Sequence, residues 1–206
     1  MDKKKIIAII EGGGSLSGED MSFLDLSGID FKECDLSEST LTGAVLTGAN
    51  LFRCNLTDAF MAEVIAEGAD FTKTIMDDVF LQRGDISNAD FSCARMIDAS
   101  IFMMKADGTL FKNTDMKGAQ VLKCNLTGAN FEGADMKNSS LKGSDIQNCN
   151  FQGTALTNCD MRQVLPQGAN FKDAWTDGVL FYGKTPWGKE ADKRDWSEEL
   201  VYFNDD

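Results

Sequence analysis

Histidine is missing from the chain, and proline occurs only 2 times in 206 residues. Without histidine no Ser-His or Cys-His pair can activate a nucleophile, and the commonest ligand for zinc or copper is gone. Positive charge is scarce too: 20 Lys and Arg stand against 33 Asp and Glu, a formal net charge of -13. Phosphate binding by counterion release needs clustered cations, so no direct nucleic-acid ligand is expected. Apolar runs are short. Ile6 to Ile10 follows Lys3, Lys4 and Lys5 but stops at Glu11, too short for a signal-peptide core or a membrane span, so a cytoplasmic protein without a membrane partner is expected. The 6 cysteines have no CxxC spacing, which argues against a zinc site or a disulfide framework and for reduced thiols. Gly12, Gly13 and Gly14 lack the Lys and Ser/Thr of a phosphate loop. No nucleophile, base and orienter can be assembled, so neither an enzyme nor a cofactor or metal site is expected.

What the chain does have is a repeat. Cut in fives from Met21, the sequence runs MSFLD LSGID FKECD LSEST LTGAV LTGAN LFRCN. The first residue of each unit is large and apolar as far as Met161, apart from Ala66 and Ala106, and Leu16 is already in frame. Pro166 and Thr176 interrupt the pattern before Phe171 and Phe181 restore it. Small residues such as Ala44, Ala49, Cys54, Ala69 and Ala89 fall three places after the large ones. A period of five fits neither a helix nor a long strand, so the chain must turn a corner in every unit.

The pattern closely resembles the pentapeptide-repeat family, with its A(D/N)LXX unit, over roughly residues 16–184. The resemblance implies an all-β fold: a right-handed quadrilateral parallel β-helix with four units per coil, in which the large residue and the small residue two before it point inward. A coil of four units demands a second period of 20, and the sequence shows it. Phe31, Leu51, Phe71, Phe91, Phe111, Phe131, Phe151 and Phe171 form one column. Gly28, Gly48, Gly68, Asn88, Gly108, Gly128, Asn148 and Gly168 form another, which asks for one corner with left-handed backbone. About eight coils of 20 residues are expected, stacked at roughly 4.8 Å. Residues 1–15 are read as an N-terminal cap, 16–184 as the β-helix and 185–206 as a tail. In the tail, Trp196, Leu200 and Phe203 share a helix-like spacing suited to capping the last coil or forming a dimer, so a monomer or a homodimer through this end is expected.

Two outward features are candidate sites. Many carboxylates sit in the fifth place of their unit, where Asn50, Asn55, Asn125 and Asn130 also occur, so that place wants a side-chain oxygen for a turn amide and charge is optional. A different column, Glu38, Asp58, Asp78 and Asp98, has no such excuse and should stack as a carboxylate ladder, with Asp77 and Glu67 deepening the negative field. The ordinary explanation is a solvated face that keeps a rod soluble. The family resemblance implies another, because some members mimic duplex DNA and protect DNA gyrase from quinolone-type poisons. The second feature is apolar: Val45, Phe60, Ile65, Phe80, Phe102, Met103 and Leu122 should project from about one side of the middle coils, as a partner surface or as a patch covered by the protein's own tail. The expected function is a rigid scaffold for a protein partner, with DNA mimicry toward gyrase as the alternative.

Overall fold

The structure is a computed structural model that describes residues 1–188. Asp2 opens the chain as an N-cap, its carboxylate accepting the Lys5 amide at 2.9 Å, and helix α1 follows over Lys3–Glu11. Ile6, Ile9 and Ile10 lie at i, i+3 and i+4, so one face of α1 is apolar; Ile6 is fully buried and the other two pack beside it. The helix closes in a Schellman motif, with Gly13 donating to the Ile10 carbonyl at 3.0 Å and Gly14 to the Ile9 carbonyl at 2.8 Å. A three-residue run of glycine thus serves a turn, and α1 covers the first coil.

From Leu16 onward most units, though not those that carry β1 (Phe60–Ala62), β2 (Phe80–Gln82), β3 (Ser100–Phe102) and β4 (Gln120–Leu122), repeat one local event. The amide of the fourth residue returns to the carbonyl of the first, as Cys34 does to Phe31 at 2.8 Å. Every fifth residue from Gly13 to Gly188, and no other described residue, has a positive φ. Positive φ at the third place of a four-residue turn closed by that bond is the type II geometry; the units that carry β1 to β4 keep the positive φ without the bond. The expectation of a single left-handed corner is therefore too narrow: all four corners are left-handed. Phe23 at φ 60° and Arg53 at φ 56° hold the same conformation as the glycines. The reason is that neighbouring coils over-determine it, since third-place amides donate along the stack, Arg53 to the Thr72 carbonyl at 3.1 Å and Asp58 to that of Asp77 at 3.0 Å.

Coil stacks on coil in a register of 20. Parallel bridges pair Asp20 with Thr40, Asp25 with Val45, Asp30 with Asn50 and Asp35 with Asn55, and this continues to Asp160 with Leu180. On one side the bridges extend into a parallel sheet of four strands in the order β1 (Phe60–Ala62), β2 (Phe80–Gln82), β3 (Ser100–Phe102) and β4 (Gln120–Leu122). The fold is a parallel β-helix solenoid.

Its interior is a set of side-chain columns. Phe71, Phe91, Phe111, Phe131, Phe151 and Phe171 stack face to face, with successive centroids 4.5, 5.2, 4.9, 5.0 and 5.0 Å apart. Trp187 closes that column, packing edge-on against Phe171 at 5.2 Å and Phe181 at 5.4 Å. Ala66 and Ala106, the two small residues at central places, are buried like their larger counterparts. One inward place is bare: a Cβ on Gly84 would strike the Val64 carbonyl, and Met104 of the next coil fills the space, its sulfur accepting the Gly84 amide at 3.1 Å. Pro166 has no amide to give to a following coil, and the first-place bonds of the described stack end one unit earlier, with Met161 donating to Leu180 at 2.9 Å. Trp196, Leu200 and Phe203 lie outside the described residues.

Candidate functional site

Most fifth-place carboxylates serve the corners. Asp70 and Asp90 each accept the amide two residues on at 2.8 Å, and Asn50 and Asn130 make the same bond at 3.0 Å. A hydroxyl residue two places on adds a second donor, Ser22 to Asp20 at 2.6 Å as Thr57 to the neutral Asn55 at 2.7 Å. The Ser22 hydroxyl, then its amide, holds the Asp20 carboxyl below the ordinary value; Ser27 does the same for Asp25, and Ser37 for Asp35. These groups are turn components.

The carboxylate ladder stands elsewhere. Glu38, Asp58, Asp78 and Asp98 occupy third places with φ of 58°, 57°, 55° and 54°, on one corner of successive coils, and all four side chains are exposed. Gly18, Gly118, Asn138, Asn158 and Gly178 continue the same corner. Asp, Asn and Gly share a tolerance for left-handed backbone, so the three aspartates have a conformational reason to be there and Glu38 does not. Below Asp98 the negative column ends, its carboxylate overhanging Gly118, and the neighbouring Lys117 joins Asp115 at 2.9 Å and Asp135 at 3.3 Å. The expected contribution of Asp77 and Glu67 needs correcting. Asp77 pairs with the Arg95 guanidinium, which offsets its charge, and Glu67 lies past the next corner, beyond Glu63.

The apolar residues lie immediately after this corner. Phe60 and Phe80 head β1 and β2, two residues past Asp58 and Asp78, and their rings stack at 4.8 Å with 7° between planes. Phe102 and Leu122 end β3 and β4 on the same side, and Met103 turns the following corner, 45% exposed. Lys123 holds its Nζ 5.8 Å from the Phe102 centroid. Val45 and Ile65 do not share this side as expected: the corner at Glu63 separates them, and they pair with each other in the next ladder. Ile65 is still 44% exposed and Phe60 43%, so the surface wraps the corner. The ladder and the patch are two parts of one side, with carboxylates along one edge, rings in the middle, and Glu63, Arg83, Met103 and Lys123 along the other.

Little else offers chemistry. Desolvation pushes the thiols of Cys54 and Cys149 up to about 12 and that of Cys124 to about 11, so they stay protonated. Cys54 and Cys34 occupy one inward column as free thiols, with Cys54 directed at the Phe31 carbonyl at 3.0 Å. Among the described residues, no three Cys, Asp or Glu side chains are grouped for a metal, and no helix is long and apolar enough to cross a membrane. A groove of about 510 Å³ between α1 and residues 27–30 is lined by Lys3, Ile7, Ile10 and Ile29 among others, with no nucleophile.

Comparison with known proteins decides the family. The family described as Pentapeptide repeats matches in 8 copies, over residues 20–58, 54–92 and 124–163. The chain is a pentapeptide-repeat protein. No curated protein matched it. Among solved structures it is similar to full-length QnrB1, titled a plasmid-mediated fluoroquinolone resistance protein: TM-score 0.52, 19% identity, covering 90% of this chain and 89% of that one. A trypsin-treated variant of QnrB1 aligns at TM-score 0.51 and 22% identity, over 81% of this chain and 84% of that one. HetL from Nostoc sp. strain PCC 7120, titled as involved in heterocyst differentiation regulation, aligns at TM-score 0.44 and 19% identity, over 92% and 99%. At these identities the likeness concerns the fold.

Several surface residues of this pentapeptide-repeat protein are not anticipated by the repeat pattern. Phe23 is 75% exposed and lies across Gly43. Phe52 gathers Lys32, Arg53 and Lys73 around its ring at 5.7, 5.1 and 5.7 Å, a local concentration of cations on an acidic rod. Trp175 is 62% exposed with Lys137 beside it at 5.8 Å. The signal for Phe23 and Phe52 is a large apolar residue at an outward place, the same signal that picks out Phe60 and Phe80.

Proposed function

We propose that this pentapeptide-repeat protein is a non-enzymatic cytoplasmic rod of about eight coils, divided at residues 15 and 184, that binds a protein partner through the side carrying β1 to β4. The observation that supports this most is the composition of that side: stacked Phe60 and Phe80, with exposed Met103, beside an uninterrupted carboxylate edge. Aromatic and Met side chains bury large apolar area at interfaces, while rim charges set orientation and on-rate. The test is capture of binding proteins by three forms: the unaltered chain, a Phe80→Ser, Leu122→Ser variant, and a variant with the four ladder carboxylates changed to Asn or Gln. The reading expects the apolar variant to lose the partner.

A second reading has one observation in its favour, the four exposed carboxylates one coil apart. Such a row can imitate phosphates, and the family's DNA-mimicking members bind DNA gyrase. Supercoiling by gyrase, followed with and without a quinolone, separates the two: inhibition or protection that disappears in the ladder variant supports mimicry, and absence of binding at micromolar protein overturns it.

A further inference from the structure

The side that precedes the carboxylate ladder lies between the corner of Arg53 and Lys73 and the corner of Asp58 and Asp78. Its two edges carry opposite charges on the same coils, Arg53 across from Asp58 and Lys73 across from Asp78, and all four residues are exposed. The Phe52 ring keeps the two cations together, 5.1 Å from Arg53 and 5.7 Å from Lys73. Arg53 reaches Glu33 at 3.5 Å, while Lys73, Asp58 and Asp78 enter no ion pair among the described residues. Between the edges each coil shows two outward residues, one beside each corner. On two later coils these are Asp115 with Lys117 and Asp135 with Lys137, acid toward one corner and base toward the other.

A side patterned in this way fits a second copy of itself in one orientation. When two rods lie side to side with parallel axes, a two-fold along that direction exchanges left and right, so each corner meets the opposite corner of the other copy at the same height. Arg53 then meets Asp58 of the second copy and Lys73 meets its Asp78, each contact occurring twice. Asp115 and Asp135 meet Lys117 and Lys137 of the second copy. Within one chain Lys117 already holds Asp115 at 2.9 Å and Asp135 at 3.3 Å, so that network continues across the contact. At the end beside α1 the match lapses, with Glu33 against Glu38. Antiparallel rods would instead set the ladder against itself. Asp77 and Arg95 satisfy each other within the chain. Exposed Ile75, half-buried Ile97 and, near the far end, Trp175 at 62% exposure supply apolar surface to bury. Seven coils, from Asn55 to Trp175, give about 29 Å of shared length at the strand spacing.

We propose that two copies of this chain associate through this side with their axes parallel, the Arg53 and Lys73 corner of each on the Asp58 and Asp78 corner of the other. The contact leaves the rings of β1 to β4 facing outward, so the dimer presents two such surfaces. Sedimentation of the full chain at micromolar concentration, in low and in high salt, tests it, and a salt-sensitive dimer is expected. Arg53→Glu with Lys73→Glu sets like charges on each of those corner contacts and should weaken the dimer about hundredfold. Adding Asp58→Arg and Asp78→Lys reverses the partners as well and should recover it. A chain that stays monomeric overturns the proposal, and so does a dimer that Arg53→Glu with Lys73→Glu leaves intact. Direction is read separately. The exposed thiol of Cys93 stands across from Asp98, so Asp98→Cys under mild oxidation should join two chains, and adding Cys93→Ser should abolish that product. A cross-link that survives Cys93→Ser joins ladder to ladder and overturns the parallel arrangement. The interaction reading is tested apart from this, since Phe80→Ser, Leu122→Ser leaves the dimer contact untouched.

Discussion

At the scale of single residues, the structure separates carboxylates that build corners from those that do not. Asp20, Asp25 and Asp35 are held below the ordinary carboxyl value chiefly by the following serine hydroxyls. A lowered folded-state pKa contributes stability that is fully present above the unfolded value, about 4, and is lost as pH falls through the folded value. Melting temperature should therefore drop as the pH is taken from about 4 toward 2, and Ser22→Ala, Ser27→Ala, Ser37→Ala should flatten that drop when thermal unfolding is followed over the range. A buried hydroxyl gives a prediction of opposite sign. Ser39 is fully buried, and its Oγ has no hydrogen-bond partner among the described residues, while Ala59 and Ala99 hold the equivalent place in later coils. Ser39→Ala should stabilise the protein by about 1 kcal/mol in denaturant titration, the cost of leaving such a group unsatisfied.

Among the elements, the phenylalanine column and the corners carry the fold, and their legibility differs. Phe111 lies between Phe91 and Phe131 with rings on both faces, so Phe111→Ala removes two stacks and leaves a cavity. It should cost about 3–5 kcal/mol by chemical denaturation. This column is readable because burial imposes a strict period of 20 on residue type, and the same holds for the turn role of the fifth-place Asp and Asn. The corners are not fully readable. Residue type reveals a left-handed backbone only where Gly or Asn is chosen, and the stack forces Phe23 and Arg53 into the same conformation through backbone bonds that leave no trace in side-chain identity. For a similar reason the separation of Val45 and Ile65 from Phe80 is hidden: the sequence shows the column each outward residue joins, while the corner at Glu63 decides which columns face together. The pairing of Asp77 with Arg95 is equally invisible, since it joins neighbouring coils across different places of the unit.

For the whole molecule, one uninterrupted core runs from Ile6 under α1 to Phe181 beside Trp187. Five of the six cysteines are locked into it and only Cys93 is exposed. Thiol titration of the native protein should find one fast-reacting equivalent, absent in Cys93→Ser, with the remainder appearing only on unfolding. The same architecture decides what the candidate side can do. Its carboxylates, rings and cations are spaced by the stack, so a partner meets them as fixed rows. The hydrogen bonds that set those rows link each coil to the next, and so lie along the axis of the rod. A pull applied between the two ends would load these bonds in series, opening the molecule like a zipper from a terminal coil. Each coil released would free 20 residues, on the order of 65 Å of contour length. Tension between the ends should therefore release the stack in uniform steps of one coil, a sawtooth that single-molecule pulling would read.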